Sequence, residues 1–284
     1  MSYAEFAPLP ALAPFVRCVW MFEAPGPGGP ATRIVPDGRP ELVIHCGDRF
    51  AEVARDGTTQ AQPRMLFAGQ VTRPLVVKPL GRSSVVGVRF HPAGARAFVG
   101  RPLRETTDAR VPISRLLGRG ATTLLYELET MAHAARLQRV QEFVAARIDE
   151  RGDERDLVVE AGVARIEANQ GRVDIAALAA DAGIGRRQLE RRFGEAVGVG
   201  PSLLASIFRF RSVFDLVERD ATRPWTEAAL AAGYYDQSHF IREFKRFVGV
   251  APTEFARTAA ELAEALARPQ ADVANVQAAL EAAR

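Results

Sequence analysis

The stretch from Ala182, AGIGRRQLERRFGEAVGVGP, is written a second time from Ala232 as AGYYDQSHFIREFKRFVGVAP. An internal repeat constrains a fold more than any single motif, because each copy has to be one structural unit. Ile175, Leu178, Ala179, Ala182 and Gly183 answer to Trp225, Ala228, Ala229, Ala232 and Gly233 at an offset of 50 residues. Leu189, Arg191, Phe193, Gly198 and Pro201 answer to Phe240, Arg242, Phe244, Gly249 and Pro252 at an offset of 51. One extra turn residue in the second copy accounts for the slip.

Each copy describes two short helices joined at a glycine, the second burying Leu189 and Phe193, or Phe240 and Phe244. That is a helix-turn-helix. The second helix of such a unit enters the major groove, so its outward side chains should reach base edges and phosphates. Those positions hold Arg186, Arg187, Glu190 and Arg191 in the first copy, and Gln237, Ser238, Ile241, Arg242 and Lys245 in the second. A single charged helix face is ordinarily just solvated. Two in register, both bearing arginine, point to DNA.

The second copy, GYYDQSHFIREFKRFVGVAPTEF, resembles the signature of the AraC/XylS family of bacterial transcription regulators, and the resemblance covers residues 156–257. It implies two helix-turn-helix units joined by one long helix, which the segment Ser202–Asp220 resembles. Leu203, Ile207, Phe210, Phe214 and Val217 recur there at spacings of three and four, a buried helical stripe that Asp220–Pro224 ends. Such a helix would hold two reading heads in successive major grooves, about 34 Å apart. By position in the family's motif, base contact is implied for Arg187, Glu190, Arg191, Gln237, Ser238 and Arg242. Arg186, His239 and Lys245 are cast as phosphate contacts, which set register and carry no sequence information. The family often has serine at the cap before the first recognition helix, where this chain has Gly185, an acceptable cap.

Ahead of this module the texture changes to short apolar runs, ELVIHC, RMLFAG, PLVVKP and SVVGVRF, separated by Pro/Gly turns such as VPDGRP. This pattern predicts strands. The fold expected is α+β: a β-rich barrel of the cupin or jelly-roll type, then an all-α double helix-turn-helix domain. RIVPDGRPELVIHCGD and VVGVRFHPAGARAFVG resemble a sensor domain that precedes this DNA-binding module in many bacterial regulators. Pro92 should begin a short helix. Alternation puts Leu42, Ile44 and Cys46 on one face and Glu41, Val43 and His45 on the other; Val86, Val88 and Phe90 oppose Gly87 and Arg89. A small-molecule effector inside the barrel would meet Trp20, His45, Phe67 and Arg89, although aromatic residues in strands are usually core.

The expected domains are residues 1–120 (sensor), 121–155 (helical linker or dimerisation segment), 156–257 (DNA-binding domain) and 258–284 (helical tail). Residues 121–170 read as helix almost throughout, with Leu124, Leu128, Met131, Ala135, Val140, Phe143 and Ile148 on a stripe that packs on the barrel or pairs with its twin. The resemblance implies a homodimer. In the tail, Leu262, Leu266, Val273, Val276 and Leu280 are available to bury, either side of Pro269.

At 284 residues two domains are expected, and a net charge of +3 leaves the DNA reading to local clusters, RRQLERR and REFKR. Neither a membrane-length apolar run nor a charged, apolar leader is evident, so the expected location is the cytoplasm. There Cys18 and Cys46, the two cysteines, should be free thiols. His45, His91 and His133 are isolated, lacking the paired histidines of a metal-dependent cupin, and no nucleophile elbow, phosphate loop or dinucleotide loop occurs. No metal, no cofactor and no catalytic activity are expected. The partners expected are a double-stranded DNA operator, a small-molecule effector and RNA polymerase; the alternatives are a sensor that only dimerises or binds a protein partner, or an enzyme with a DNA-binding tail.

Overall fold

Along Glu41–His45 the side chains alternate, and that alternation sets the layers of the amino-terminal half. Leu42 and Ile44 enter one hydrophobic core and Val43 another, on opposite faces of the same strand. The computed structural model describes residues 2–257 apart from 25, 27–30, 55, 119, 153–154 and 221–222. The strands are β1 (Ser2–Phe6), β2 (Val16–Ala24), β3 (Thr32–Ile34), β4 (Glu41–His45), β5 (Phe50–Val53), β6 (Thr59–Ala61), β7 (Met65–Ala68), β8 (Leu75–Pro79), β9 (Ser83–Phe90) and β10 (Arg110–Pro112). They form a six-stranded antiparallel sheet in the order β1-β2-β9-β4-β7-β10 and a four-stranded one in the order β3-β8-β5-β6. The sheets do not close on each other, so the barrel expected from sequence is an open sandwich.

Register places three rows of side chains on the inner face of the larger sheet: Phe22, Val85 and His45; Trp20, Gly87 and Val43; Cys18, Arg89 and Glu41. Phe50 and Val77 of the smaller sheet close over the apolar members. Gly87 is fixed by its neighbour, because a Cβ there would lie 2.0 Å from Trp20 Cε2. The indole therefore lies flat on the sheet where any other residue would push it off.

The outer face carries Val19, Met21, Leu42, Ile44, Phe67, Val86, Val88 and Phe90. It is covered by α1 (Ala95–Val99), α2 (Ile113–Leu117), α3 (Gly120–Thr130) and α4 (His133–Asp149). The segment expected as linker or dimerisation helix thus packs in cis: Leu124, Leu128, Val140, Val144 and Ile148 are buried on the sheet. Its stripe is broken by a turn at residues 131–132, which no glycine or proline announces, and Ala135 is exposed as a result. The helix expected at Pro92 begins three residues later, after a turn.

The carboxy-terminal half is all helix: α5 (Leu157–Ala168), α6 (Ile175–Asp181), α7 (Arg186–Ala196), α8 (Pro201–Arg219), α9 (Trp225–Ala231), α10 (Gln237–Val248) and α11 (Pro252–Arg257). The 19 residues of α8 span about 28 Å at the helical rise. Leu204 and Ala205 near its start belong to the core of the first repeat, with Leu178, Leu189 and Phe193. Ile207, Phe210, Phe214 and Val217 belong to the core of the second, with Phe240, Phe244 and Phe247. Phe244 touches the rings of Phe210, Phe214, Trp225, Phe240 and Phe255. The expected 258–284 tail, with its five apolar positions, lies outside the described residues.

Two substitutions test this packing by urea unfolding. Gly87→Ala should cost about 3 kcal/mol, the upper end of overpacking, because the indole has no room to yield. Phe244→Ala should cost about 3–5 kcal/mol through the cavity left among five rings. Wild-type stability in either variant would contradict the packing described.

Candidate nucleic-acid interface and sensor interior

In the first repeat, the Asp174 carboxylate caps α6 by accepting from the amides of Ala176 (2.7 Å) and Ala177 (3.4 Å). Gly183, at φ +66°, turns the chain into α7, whose start at Gly185 has no side-chain cap. Leu189 and Phe193 face inward, while Arg186, Arg187 and Arg191 are exposed. Arg192 points back and donates from Nε to Asp156 Oδ2 at 2.8 Å, and Asp156 also caps α5 at the Val159 amide. Burial raises the Asp156 carboxyl, but these bonds outweigh it and hold the group below the usual carboxylate range.

Several members of the expected DNA-facing set have neighbours of their own, among them Arg186, whose Nε lies 4.0 Å from Glu190 Oε1. Glu190 extends its carboxylate to Gly200, where α8 begins, and a negative charge is favourable at that helix end. His239 is half-buried, edge-on to Tyr234, with Nε2 3.9 Å from Glu243 Oε2. The rest of the second repeat is outward: Gln237, Ser238, Arg242 and Lys245 are exposed. Gly233, at φ +90°, makes its turn, and Asp236 caps α10 at the His239 amide (2.7 Å). Among the described residues no ion pair engages Arg187, Arg242 or Lys245. Arg191 shares Glu195 Oε1 (3.2 Å) with Arg104 of the sensor (3.7 Å).

That last contact is one of several by which the sensor grips the helical half from behind. Thr107 donates from Oγ1 to the Gly198 carbonyl at 2.6 Å, and Arg96 from Nη1 to the Glu195 carbonyl at 3.5 Å, both at the carboxy-terminal end of α7. Arg33 donates to the Val248 carbonyl at the end of α10 (2.9 Å). The Glu195 and Val248 carbonyls are among those a helix leaves without internal partners. Between them the β3–β4 loop is driven into the module: Val35 is buried in the second core, and Arg39 pairs with Glu167 (3.0 Å) while lying over the Phe208 ring. Sequence patterning missed this interface, because loop residues carry no period.

Inside the sandwich, Trp20, His45 and Arg89 share the inner face, but Phe67 does not join them. It sits on the opposite face, paired across the sheet with Leu42 and sealed under the helices near Phe90. Arg89 is buried and donates to Glu41 (2.8 Å) and Glu5 (2.6 Å). Trp20 Nε1 is buried without a hydrogen bond, and the buried His45 ring has the Gln62 side chain near it as a polar neighbour, in no well-formed hydrogen bond. Burial pushes the His45 pKa down to about 4, against a smaller opposing effect of Gln62. Burial pushes the Cys18 thiol up to about 12; both Cys18 and Cys46 are free. A 370 Å³ pocket opens at one edge of the sandwich, where Glu52 holds Arg110 (2.7 and 2.8 Å) beside Gln60, Gln62 and Arg115. Among the described residues no cluster of His, Cys, Asp and Glu is placed to hold a metal, and no helix is long and apolar enough to cross a membrane.

Two helix pairs at either end of α8, each exposing a basic second helix, have the form of helix-turn-helix DNA-binding units. Residues 178–258 match the family of the helix-turn-helix domain, here of the AraC type, and residues 4–112 match a family described as a domain of unknown function. The chain carries a helix-turn-helix domain in its carboxy-terminal part. None of the curated proteins matches the chain. Among solved structures, it is similar to ToxT from Vibrio cholerae at 11% identity and a TM-score of 0.42, over 90% of this chain and 98% of that one. ToxT with bound unsaturated fatty acid gives 12% and 0.41, over 83% and 94%. The AraC-like transcriptional activator CuxR gives 15% and 0.28, over 76% and 79%.

His45 makes the sandwich pH-sensitive in a defined sense. Its folded pKa lies below the ordinary value of about 6.5, so its contribution is intact above that value and declines as pH falls toward about 4. Burial pushes His91 in the same direction. His45→Phe should therefore flatten the fall in unfolding free energy between about pH 6.5 and 5 by up to about 1.4 kcal/mol per pH unit. An unchanged slope would mean that His45 is not buried neutral.

Proposed function

We propose that this protein reads two adjacent major-groove segments of a double-stranded operator with α7 and α10, and that the sandwich in front of them controls how those helices are presented. The observation that carries the reading is the pair of exposed donor faces on α7 and α10, with the sensor packed behind and not over them. Arg187 and Arg191 suit guanine, Gln237 suits adenine, and Ser238 and Arg242 complete the second reading face. Arg186 and Lys245 hold phosphates, while Glu190 and His239 would have to leave their present neighbours to take part.

The control step follows from connectivity. The β3–β4 loop joins the small sheet to the large one, and this is the loop that reaches α8 and the second core. A small molecule between the sheets, against Trp20, His45 and Arg89, would alter their spacing and thereby pull on Val35 and Arg39. Arg33, on the same β3, would move with it and release or tighten the end of α10. Operator occupancy and recruitment of RNA polymerase would change in consequence, in a cytoplasmic homodimer with no catalytic step.

Selection of bound sequences from a random DNA pool at near-physiological salt should enrich two short motifs about one helical turn apart. On the selected site, Arg191→Ala and Arg242→Ala should each cost about 1–3 kcal/mol and relax one base preference, whereas Lys245→Ala should weaken all sequences alike. A single enriched motif, insensitive to Arg242→Ala, would remove the second unit from the reading.

A further inference from the structure

We propose that Tyr235 is a DNA-contacting residue of the second helix-turn-helix unit, laying its ring on a thymine methyl at the edge of the groove that α10 enters. The inference rests on the reading of α10 as a recognition helix and adds a residue that the family's motif does not assign.

The repeat identifies it. From turn glycine to helix cap, the first copy runs Gly183, Ile184, Gly185 and the second runs Gly233, Tyr234, Tyr235, Asp236. Gly185 and Asp236 both cap their helices, and Ile184 and Tyr234 both pack on the core of their own unit. Tyr235 is therefore the inserted residue that shifts the offset from 50 to 51, and it has no counterpart in the first unit.

Its surroundings are as distinctive. Tyr235 is 91% exposed, against 66% for the next most exposed large hydrophobics, Tyr126 and Leu157. Tyr234, one residue earlier, is 3% exposed, so the turn directs one ring into the core and the other into solvent. The insertion adds nothing to the packing of its own unit. It does add, immediately ahead of the cap of α10, a flat apolar surface with a hydroxyl at its tip.

Placement decides what that surface meets. The first residues of a recognition helix reach base edges, so the residue just before the cap stands at the groove wall. Asp236 cannot serve there as a contact, since its carboxylate is committed to the His239 amide. Arg172, from the turn between α5 and α6, donates to the Ala231 carbonyl and lies against Gly233, which brings a cation to the same turn. A thymine methyl in the major groove is an apolar target for a ring, and a neighbouring phosphate oxygen would accept from the phenol. The two units are then unequal readers: the first reads by hydrogen bonds alone, the second by hydrogen bonds and an apolar contact.

The test compares full-length wild type, Tyr235→Ala, Tyr235→Phe and Arg242→Ala on the selected operator, with thermal unfolding of each as a check on folding. Tyr235→Ala should lose about tenfold in affinity and its preference for thymine at one position of the second half-site. Tyr235→Phe should keep that preference. If Arg242→Ala weakens binding and Tyr235→Ala does not, this proposal fails while the reading of α10 stands. If neither does, the reading of α10 fails with it. Tyr235→Ala that binds normally but transcribes poorly with purified polymerase would make the ring a protein contact and overturn the assignment.

Discussion

Both hydrophobic cores of the helical module are built on one helix. Leu204 and Ala205 at the start of α8 join Val159, Val163 and Ile166 of α5 in completing the first, and Ile207, Phe210, Phe214 and Val217 complete the second, so α8 is common to both. A two-helix unit of this size buries too little apolar surface to stand by itself. Sharing the joining helix solves that problem and has a geometric result. The two reading helices are attached to the same rigid rod, and their separation is set by helical rise instead of by a flexible linker.

With the separation fixed, what remains adjustable is the end of each reading helix, and the sensor holds both ends. Thr107 and Arg96 take carbonyls at the end of α7, and Arg33 takes one at the end of α10. Cationic donors are favoured at helix carboxy termini, each by a few tenths to about 1 kcal/mol when exposed. Contacts of that strength can hold a preferred arrangement and still be broken by a ligand with modest differential affinity for a second one. The charge shared at Glu195 has the same character: Arg104 from the sensor and Arg191 from the reading face compete for one carboxylate oxygen. Strengthening one partner frees the other.

What could be read from the sequence was whatever repeats or alternates. The two helix-turn-helix units, the buried Leu189, Phe193, Phe240 and Phe244, the α8 stripe and the two faces of β4 and β9 all follow from periods of 3.6 or 2 residues. The exposed arginines on α7 and α10 were legible for the same reason, since they are the complement of the buried face. The misreadings are aperiodic. Phe67 was grouped with Trp20 because both are aromatic residues in strands, but a strand's face is set by register with its neighbours, and Phe67 pairs with Leu42 on the outer side. The turn at residues 131–132 and the insertion of Val35 depend on what the chain meets in three dimensions, which no local pattern encodes.

The interior of the sandwich separates an effector-binding sensor from one that only packs. An interior closed by its own side chains would leave no buried polar atom without a partner, since each such atom costs about 1–3 kcal/mol. Here Arg89 is satisfied by Glu41 and Glu5, Trp20 Nε1 is not, and the His45 ring has Gln62 as a polar neighbour in no well-formed hydrogen bond. Arg89, Trp20 and His45 face the same intersheet space, while the outer face under α1 to α4 is apolar except at its end, where Glu23, Ser84 and Arg136 of α4 bond one another. The two faces of one sheet therefore differ in kind: one is packed under helices, and the other holds its polar groups between the two sheets. The junction of the two sheets, the β3–β4 loop, is also where the sensor enters the helical module, through Val35 in the second core.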